Sequence, residues 1–210
     1  MSCEEEEEND DDIKVILIGE MGTGKTSLIN TSIGLQFQEI MKSTTTNTIS
    51  NKKLQIDGKT YSINLWDTIG QEKFRALTKI FMKEAKVVIF VYDITQKKTF
   101  DQLNYWFEST KDVITDDAVM GIVGNKSDLY EKEQIKEDEG QKLADEHGYE
   151  FTLTSAKIPK LFSDFLVKMV KLYLNKNKNT PGGDGNNNCD KNNNKKQKLK
   201  KNNKDKKKCC

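Results

Sequence analysis

The chain has 210 residues, 35% of them hydrophobic and 32% charged, with a formal net charge of +1, which is the length of one domain. That near-neutral total conceals two opposed ends: five Glu and three Asp give residues 1–12 a net of −8, and twelve Lys against Asp184, Asp190 and Asp205 give residues 175–210 a net of +9. Segments so polar cannot bury enough apolar area to offset their chain entropy, and no apolar run approaches the ~20 residues of a membrane helix, so one folded domain over 13–175 is expected between an acidic disordered N-terminus, 1–12, and a disordered Asn/Lys-rich tail, 176–210.

In chain order, Lys14–Ile18 is a short apolar run ending at a glycine, a buried strand, and the segment from Gly24 to about Ile33 has helical spacing. Leu54–Ile56, the turn pair Asp57-Gly58 and the alternating Tyr61–Trp66 read as a hairpin. Val87–Tyr92 and Val119–Val123 are continuous apolar runs of parallel-strand type, separated by a helix expected from about Lys97 to Val113. A helix from about Glu131 to Glu146, a strand around Phe151–Thr154 and a last amphipathic helix from Lys160 to Leu174 complete the pattern. Strands alternating with helices predict an α/β fold: a six-stranded, mostly parallel sheet with one antiparallel edge strand, helices on both faces, and a ligand at the C-terminal strand ends.

All four cysteines, Cys3, Cys189, Cys209 and Cys210, lie outside the predicted domain. That excludes a disulfide framework and points to a reducing compartment, and the acidic start excludes an ordinary signal peptide. His147, the only histidine, precedes Gly148 at an expected helix end and reads as an exposed end residue, with no support for a nucleophile pair.

Four stretches carry chemistry. Gly19-Glu20-Met21-Gly22-Thr23-Gly24-Lys25-Thr26 fits G-x-x-x-x-G-K-[ST] between a predicted strand and a predicted helix. Its glycines let backbone N–H groups wrap a phosphate, Lys25 supplies a point charge to β/γ-phosphates, and the Thr26 hydroxyl can ligate Mg²⁺; Ser27 completes this candidate nucleotide-binding stretch. Asn125-Lys126-Ser127-Asp128 follows a predicted strand. A carboxylate such as Asp128 accepts two hydrogen bonds from guanine, a pattern adenine lacks; Asn125 can hold the loop and the Lys126 stem can lie along the base. Ser155-Ala156-Lys157 follows the next strand and can close that pocket through the Ala156 N–H. Asp67-Thr-Ile-Gly70-Gln71-Glu72, again after a strand, offers Asp67 to hold Mg²⁺ through water, the Gly70 N–H to sense a γ-phosphate, and Gln71 to orient a water for attack on it. A plain helix N-terminus capped by Thr68 or Gly70 is a compatible second reading.

Taken together, these motifs resemble the Ras superfamily, and its Rab branch most closely, over about Ile13–Leu174. Asp67-Thr-Ile-Gly-Gln-Glu-Lys-Phe-Arg75, Val91-Tyr-Asp-Ile-Thr95 and the terminal Cys209-Cys210 carry the likeness. The resemblance implies a small GTPase converting GTP to GDP and phosphate with Mg²⁺, with Gln71 and Lys25 catalytic. It selects Thr44 among Thr44, Thr45, Thr46 and Thr48 as the switch I metal ligand, puts Phe37 on the guanine, and makes Cys209 and Cys210 prenylation sites. It also implies an exchange factor, a GTPase-activating protein, an escort- or GDI-type chaperone, effectors and a role in vesicle and protein transport, the protein acting as a monomer that cycles between cytosol and the cytoplasmic face of a membrane. The Lys195–Lys208 run would reinforce membrane attachment; without interleaved aromatics it gives no reason to expect nucleic acid.

The sequence also departs from that family. Where a Rab usually continues Ile-Gly-Val-Asp-Phe after Thr44, Thr45-Thr-Asn-Thr-Ile49 stands, and Phe81-Met-Lys-Glu-Ala85 replaces the expected Tyr-Tyr-Arg-Gly-Ala. Ile69 replaces a small alanine and Met21 a small phosphate-loop residue. Both would crowd Gln71, so slow hydrolysis is expected, with a membrane adaptor of little turnover as the alternative. Trp106 reads as core, and Trp66 with Ile49 and Phe81 as an apolar surface patch.

Overall fold

The computed structural model describes residues 12–39, 44, 46–69 and 80–178. The acidic residues 1–11, Gly70, Gln71, and the tail with Cys189, Cys209 and Cys210 lie outside them, as does Cys3.

The strands are β1 (Ile13–Ile18), β2 (Thr48–Ile56), β3 (Lys59–Asp67), β4 (Val87–Asp93), β5 (Val119–Asn125) and β6 (Glu150–Leu153). They form one sheet in the order β2-β3-β1-β4-β5-β6. β1 pairs parallel with β3 and β4, β4 with β5 and β5 with β6, while β2 runs antiparallel to β3 at the edge. The fold class is therefore the expected one. Helices α1 (Lys25–Ser32), α2 (Lys97–Asp101), α3 (Leu103–Lys111), α4 (Glu137–His147) and α5 (Pro159–Lys178) cover the sheet.

Alternation along the central strands divides the core in two. Val15 and Leu17 of β1 and Val87, Ile89 and Val91 of β4 face α1 and α5, where they meet Leu28, Phe162, Phe165 and Met169. Ile16 and Ile18, with Val88, Phe90 and Tyr92, face α3 and α4 and pack on Leu103, Trp106, Phe107 and Ala144. Strands buried on both faces have to be apolar throughout, which is why β4 is fully buried along its seven residues. Each fully buried large side chain contributes ~1.5–3 kcal/mol of transfer free energy.

Several expected boundaries change, beginning with β2, which starts at Thr48 rather than Leu54. The helix expected over Lys97–Val113 is two, broken at Gln102, and it stops at Lys111. Ser127–Lys132 is a 3-10 segment and α4 begins only at Glu137, so residues 131–136 do not belong to it. α5 continues to Lys178, past the helix end expected at Leu174, and Lys176 Nζ in this last turn donates to the Ala118 carbonyl at 3.0 Å.

The domain has polarity along the strands. α5 starts beside the Ser155–Lys157 loop and runs to the opposite end of the sheet, where Lys86 joins the two chain exits: its amide donates to the Lys14 carbonyl at 2.9 Å, and its ammonium lies 5.9 Å from the Tyr173 ring. Among the described residues no helix is long and apolar enough to cross a membrane.

Candidate functional site

The C-terminal ends of the central strands open onto a cleft of about 430 Å³. Its walls come from three loops far apart in sequence: Gly22, Gly24, Lys25, Thr26 and Ser27 after β1; Asn125, Lys126 and Asp128 after β5; Ser155, Ala156 and Lys157 after β6. Met21, Phe37 and Thr44 line it too. These members of the predicted set share one cleft, whereas Gly70 and Gln71 lie outside the described residues.

After β1 the chain can turn closely only because of its glycines. A Cβ on Gly19 would stand 2.1 Å from the Val91 carbonyl oxygen, and Gly24 holds φ +92° at the start of α1. Gly19, Glu20 and Thr23 do not line the cleft; their carbonyls hold residues that do. Lys25 Nζ donates to the Gly19 and Glu20 carbonyls at 2.8 and 2.9 Å, and the buried Thr23 hydroxyl donates to Glu20 O at 3.0 Å. Burial pushes the Lys25 ammonium down to about 8, with Asp67 and Glu20 opposing the shift. A cation so poorly solvated has much to gain from an anionic ligand.

Beside it, Thr26 donates to Asp67 Oδ2 at 2.6 Å and, its single proton so used, accepts from Thr44 at 2.8 Å. Asp67 is 2% exposed and its Oδ1 is buried with no hydrogen-bond partner among the described residues. Burial raises its pKa, against the Thr26 hydroxyl, the Lys25 charge and the Thr44 hydroxyl. Two hydroxyls and a carboxylate with one oxygen unpartnered are a hard-oxygen donor set that fits Mg²⁺. They leave its remaining positions to water or phosphate.

In the second loop Asn125 Nδ2 donates to Thr23 O at 2.8 Å, tying base side to phosphate side. Asp128 accepts from Ser155 Oγ at 2.6 Å and pairs with Lys157 at 3.0 Å. Burial alone would raise its pKa, but the Ser155 and Lys157 hydrogen bonds prevail and hold it below the usual carboxylate range. It is a charged acceptor facing the cleft. Phe37 is 38% exposed at the rim, with Lys157 Nζ 5.7 Å from its ring.

Some contacts at the site escaped sequence reasoning. Trp106 is core at 1% exposed, yet its indole N–H donates to Glu20 Oε1 at 3.2 Å. The Ile69 amide donates to Asn47 Oδ1 at 3.0 Å, so two departures from the family pattern meet. Asp93, fully buried, pairs with Lys126 at 2.7 Å. An aromatic at helix spacing and a charge at a strand end carry no signal of such partners. On the neighbouring surface Ile49, 53% exposed, stands opposite Trp66 in the ladder, and Phe81 lies 5.9 Å from the Trp66 ring. His147, exposed, ends α4 against Phe107.

A mostly parallel sheet with a glycine loop leading into a helix at the C-terminal strand ends defines the class of phosphate-loop α/β proteins. Comparison with known proteins narrows the class: the model of the Ras family matches residues 14–175. Among curated relatives, the chain is 34% identical over 180 residues to the Ras-related protein Rab2BV of Beta vulgaris, covering 80% of this chain and 84% of that protein. It is 38% identical over 143 residues to the Ras-related protein RGP2 of Oryza sativa subsp. japonica, covering 68% and 66%. The chain belongs to the Ras family, as a small GTPase switch of Rab type.

Proposed function

We propose that this chain binds GTP with Mg²⁺, hydrolyses it to GDP and phosphate, and uses the difference between the two states to recruit effectors at a membrane, in vesicle transport. The observation carrying this reading is the cluster of Thr26, Thr44 and Asp67 with its unpartnered carboxylate oxygen, next to Lys25 in the same cleft as Asp128. Residues Gly19–Ser27 hold the phosphates and Phe37, Asn125, Lys126, Asp128, Ser155, Ala156 and Lys157 the guanosine half. Thr26 and Thr44 would hold Mg²⁺ directly and Asp67 through water; bound there, the ion would neutralise charge on the β/γ oxygens. Lys25 stabilises the same charge, the Gly70 amide senses the γ-phosphate, and Gln71 orients the attacking water. Gly70 and Gln71 lie outside the described residues.

The Lys-rich tail with Cys209 and Cys210 supports prenyl attachment to the cytoplasmic face of a membrane and exchange with the cytosol. The same reading takes residues 13–175 as the GTPase domain between two accessory ends, works as a monomer, needs no nucleic acid, and requires an exchange factor, an activating protein and an escort- or GDI-type chaperone. The Trp66, Ile49 and Phe81 patch is the effector-facing surface.

The test is single-turnover conversion of radiolabelled GTP by the purified chain with Mg²⁺. Turnover that collapses in Gln71→Leu supports the switch. A second reading, an adaptor with little turnover, draws support from Ile69, 6% exposed with its amide held by Asn47, and from Met21 in the cleft wall. GTP bound for hours without conversion, with turnover appearing in Ile69→Ala or Met21→Ser, would establish the adaptor and overturn the switch.

A further inference from the structure

Lys126 has an unusual backbone. Its φ is +68° and ψ 35°, a left-handed conformation that costs a non-glycine residue ~1–2 kcal/mol. Strain of this kind persists only where surrounding contacts over-determine it. The backbone is held by the Leu129 amide on the Lys126 carbonyl at 2.8 Å and the Ser127 amide on the Thr154 carbonyl at 3.0 Å, and the side chain by Asp93, the last residue of β4, in register with Asn125 of β5 and fully buried.

The Asp93 carboxylate has all its acceptor capacity in use. Oδ1 accepts from the Thr95 amide at 2.9 Å and the Thr95 hydroxyl at 2.7 Å; Oδ2 accepts from Gln96 Nε2 at 3.2 Å and pairs with Lys126 Nζ at 2.7 Å. The Asp93 amide is fixed in turn by Thr99 Oγ1 at 3.0 Å, and the Ile94 amide donates to Asn125 O at 3.1 Å. The carboxylate is thus a rigid post for a single cation. Its pull turns the Lys126 ammonium inward, and the side chain lines the cleft where the base would lie.

We infer that Asp93 is a positioning residue for base binding: it acts through Lys126, presenting that lysine's methylene stem as one wall of the guanine pocket. The inference rests on the nucleotide reading given above, which it deepens by explaining why the wall stands where it does. Asp93 touches no ligand itself. A lysine free to swing its ammonium toward solvent would move the stem off the base and leave that face wet.

The experiment follows release of a fluorescent methylanthraniloyl GDP from the full chain, in the wild type, Asp93→Asn, Lys126→Met, their double variant and Lys126→Ala, with a thermal melt of each. Asp93→Asn keeps the side-chain shape and the Thr95 contacts but loses the charge, and release is expected to quicken on the order of tenfold. In a Lys126→Met background the same change is expected to quicken release no further, because Asp93 then has no cation to hold. An equal acceleration in both backgrounds would overturn the proposal, since a purely structural Asp93 would act regardless of Lys126. Release unchanged by Lys126→Ala, which removes the stem altogether, would overturn it as well, and that result stands even if Asp93→Asn fails to fold. A wild-type chain that takes up no GDP at all would instead remove the nucleotide reading.

Discussion

Replacing Gly24 by alanine tests how the two halves of the cleft are joined. An added Cβ would lie 2.4 Å from Asn125 Nδ2, and φ there is +92°. The left-handed backbone costs ~1–2 kcal/mol. The clash displaces the Asn125 amide, 1% exposed, from its 2.8 Å bond to Thr23 O, leaving buried polar groups unpaired at ~1–3 kcal/mol. Gly24→Ala should therefore destabilise the ligand-free chain by roughly 2–5 kcal/mol, a large fraction of the ~5–15 kcal/mol that holds a domain folded. Urea denaturation of the wild type, Gly24→Ala, Asn125→Ala and the double variant separates the two contributions. With Asn125 truncated the new methyl group meets open space, and only the backbone cost of ~1–2 kcal/mol should remain. A Gly24→Ala cost that is the same in both backgrounds would refute the coupling.

Tyr92 has a buried hydroxyl with no partner among the described residues, and burial raises its pKa. Tyr92→Phe should leave the urea midpoint unchanged or raise it by up to ~1 kcal/mol equivalent; a clear loss would reveal a partner. Lys25, depressed to about 8 by burial against an ordinary 10.5, gives a pH signature. Between those values the unfolded chain binds the proton that the folded one has lost. Stability of the ligand-free chain should therefore rise with pH across that window, by up to ~3 kcal/mol, and fall again as pH drops through the folded value. Lys25→Met should flatten the rise in pH-dependent melts, and an unchanged slope would assign it to other groups. Asp128→Asn should shift preference from guanine to xanthine nucleotides in competition binding, since an amide matches the altered base edge; an unaltered preference would free Asp128 of that role.

What was legible in the sequence was contiguous. The phosphate loop, the Asn125–Asp128 loop and the apolar runs of β1, β4 and β5 each declare themselves within a few residues. The first six residues of β2 did not, because Thr48 to Lys53 sit on an edge strand whose pairing to β3, rather than burial, keeps them extended. The break at Gln102 falls inside an unbroken helical pattern. The start of α4 was misread because Leu129 leaves helical geometry, at φ −99° and ψ 36°, and α4 is too polar to mark its own beginning. Hidden most thoroughly were partners brought together by tertiary structure alone: Glu20 with Trp106, Asn47 with Ile69, Asp93 with Lys126. Residues of these types are ordinarily solvated or simply packed, and only the sheet order brings them within reach.

The course of α5 has a mechanical consequence. Twenty helical residues rise ~30 Å, and they lead from the wall of the cleft to the end of the sheet where both termini leave. The helix is therefore a stiff rod whose far end is the base-side loop, and the mouth of the cleft lies at the opposite end of the sheet from Lys178. A probe attached near residue 12 or 178 would report on docking of that end while leaving the cleft untouched.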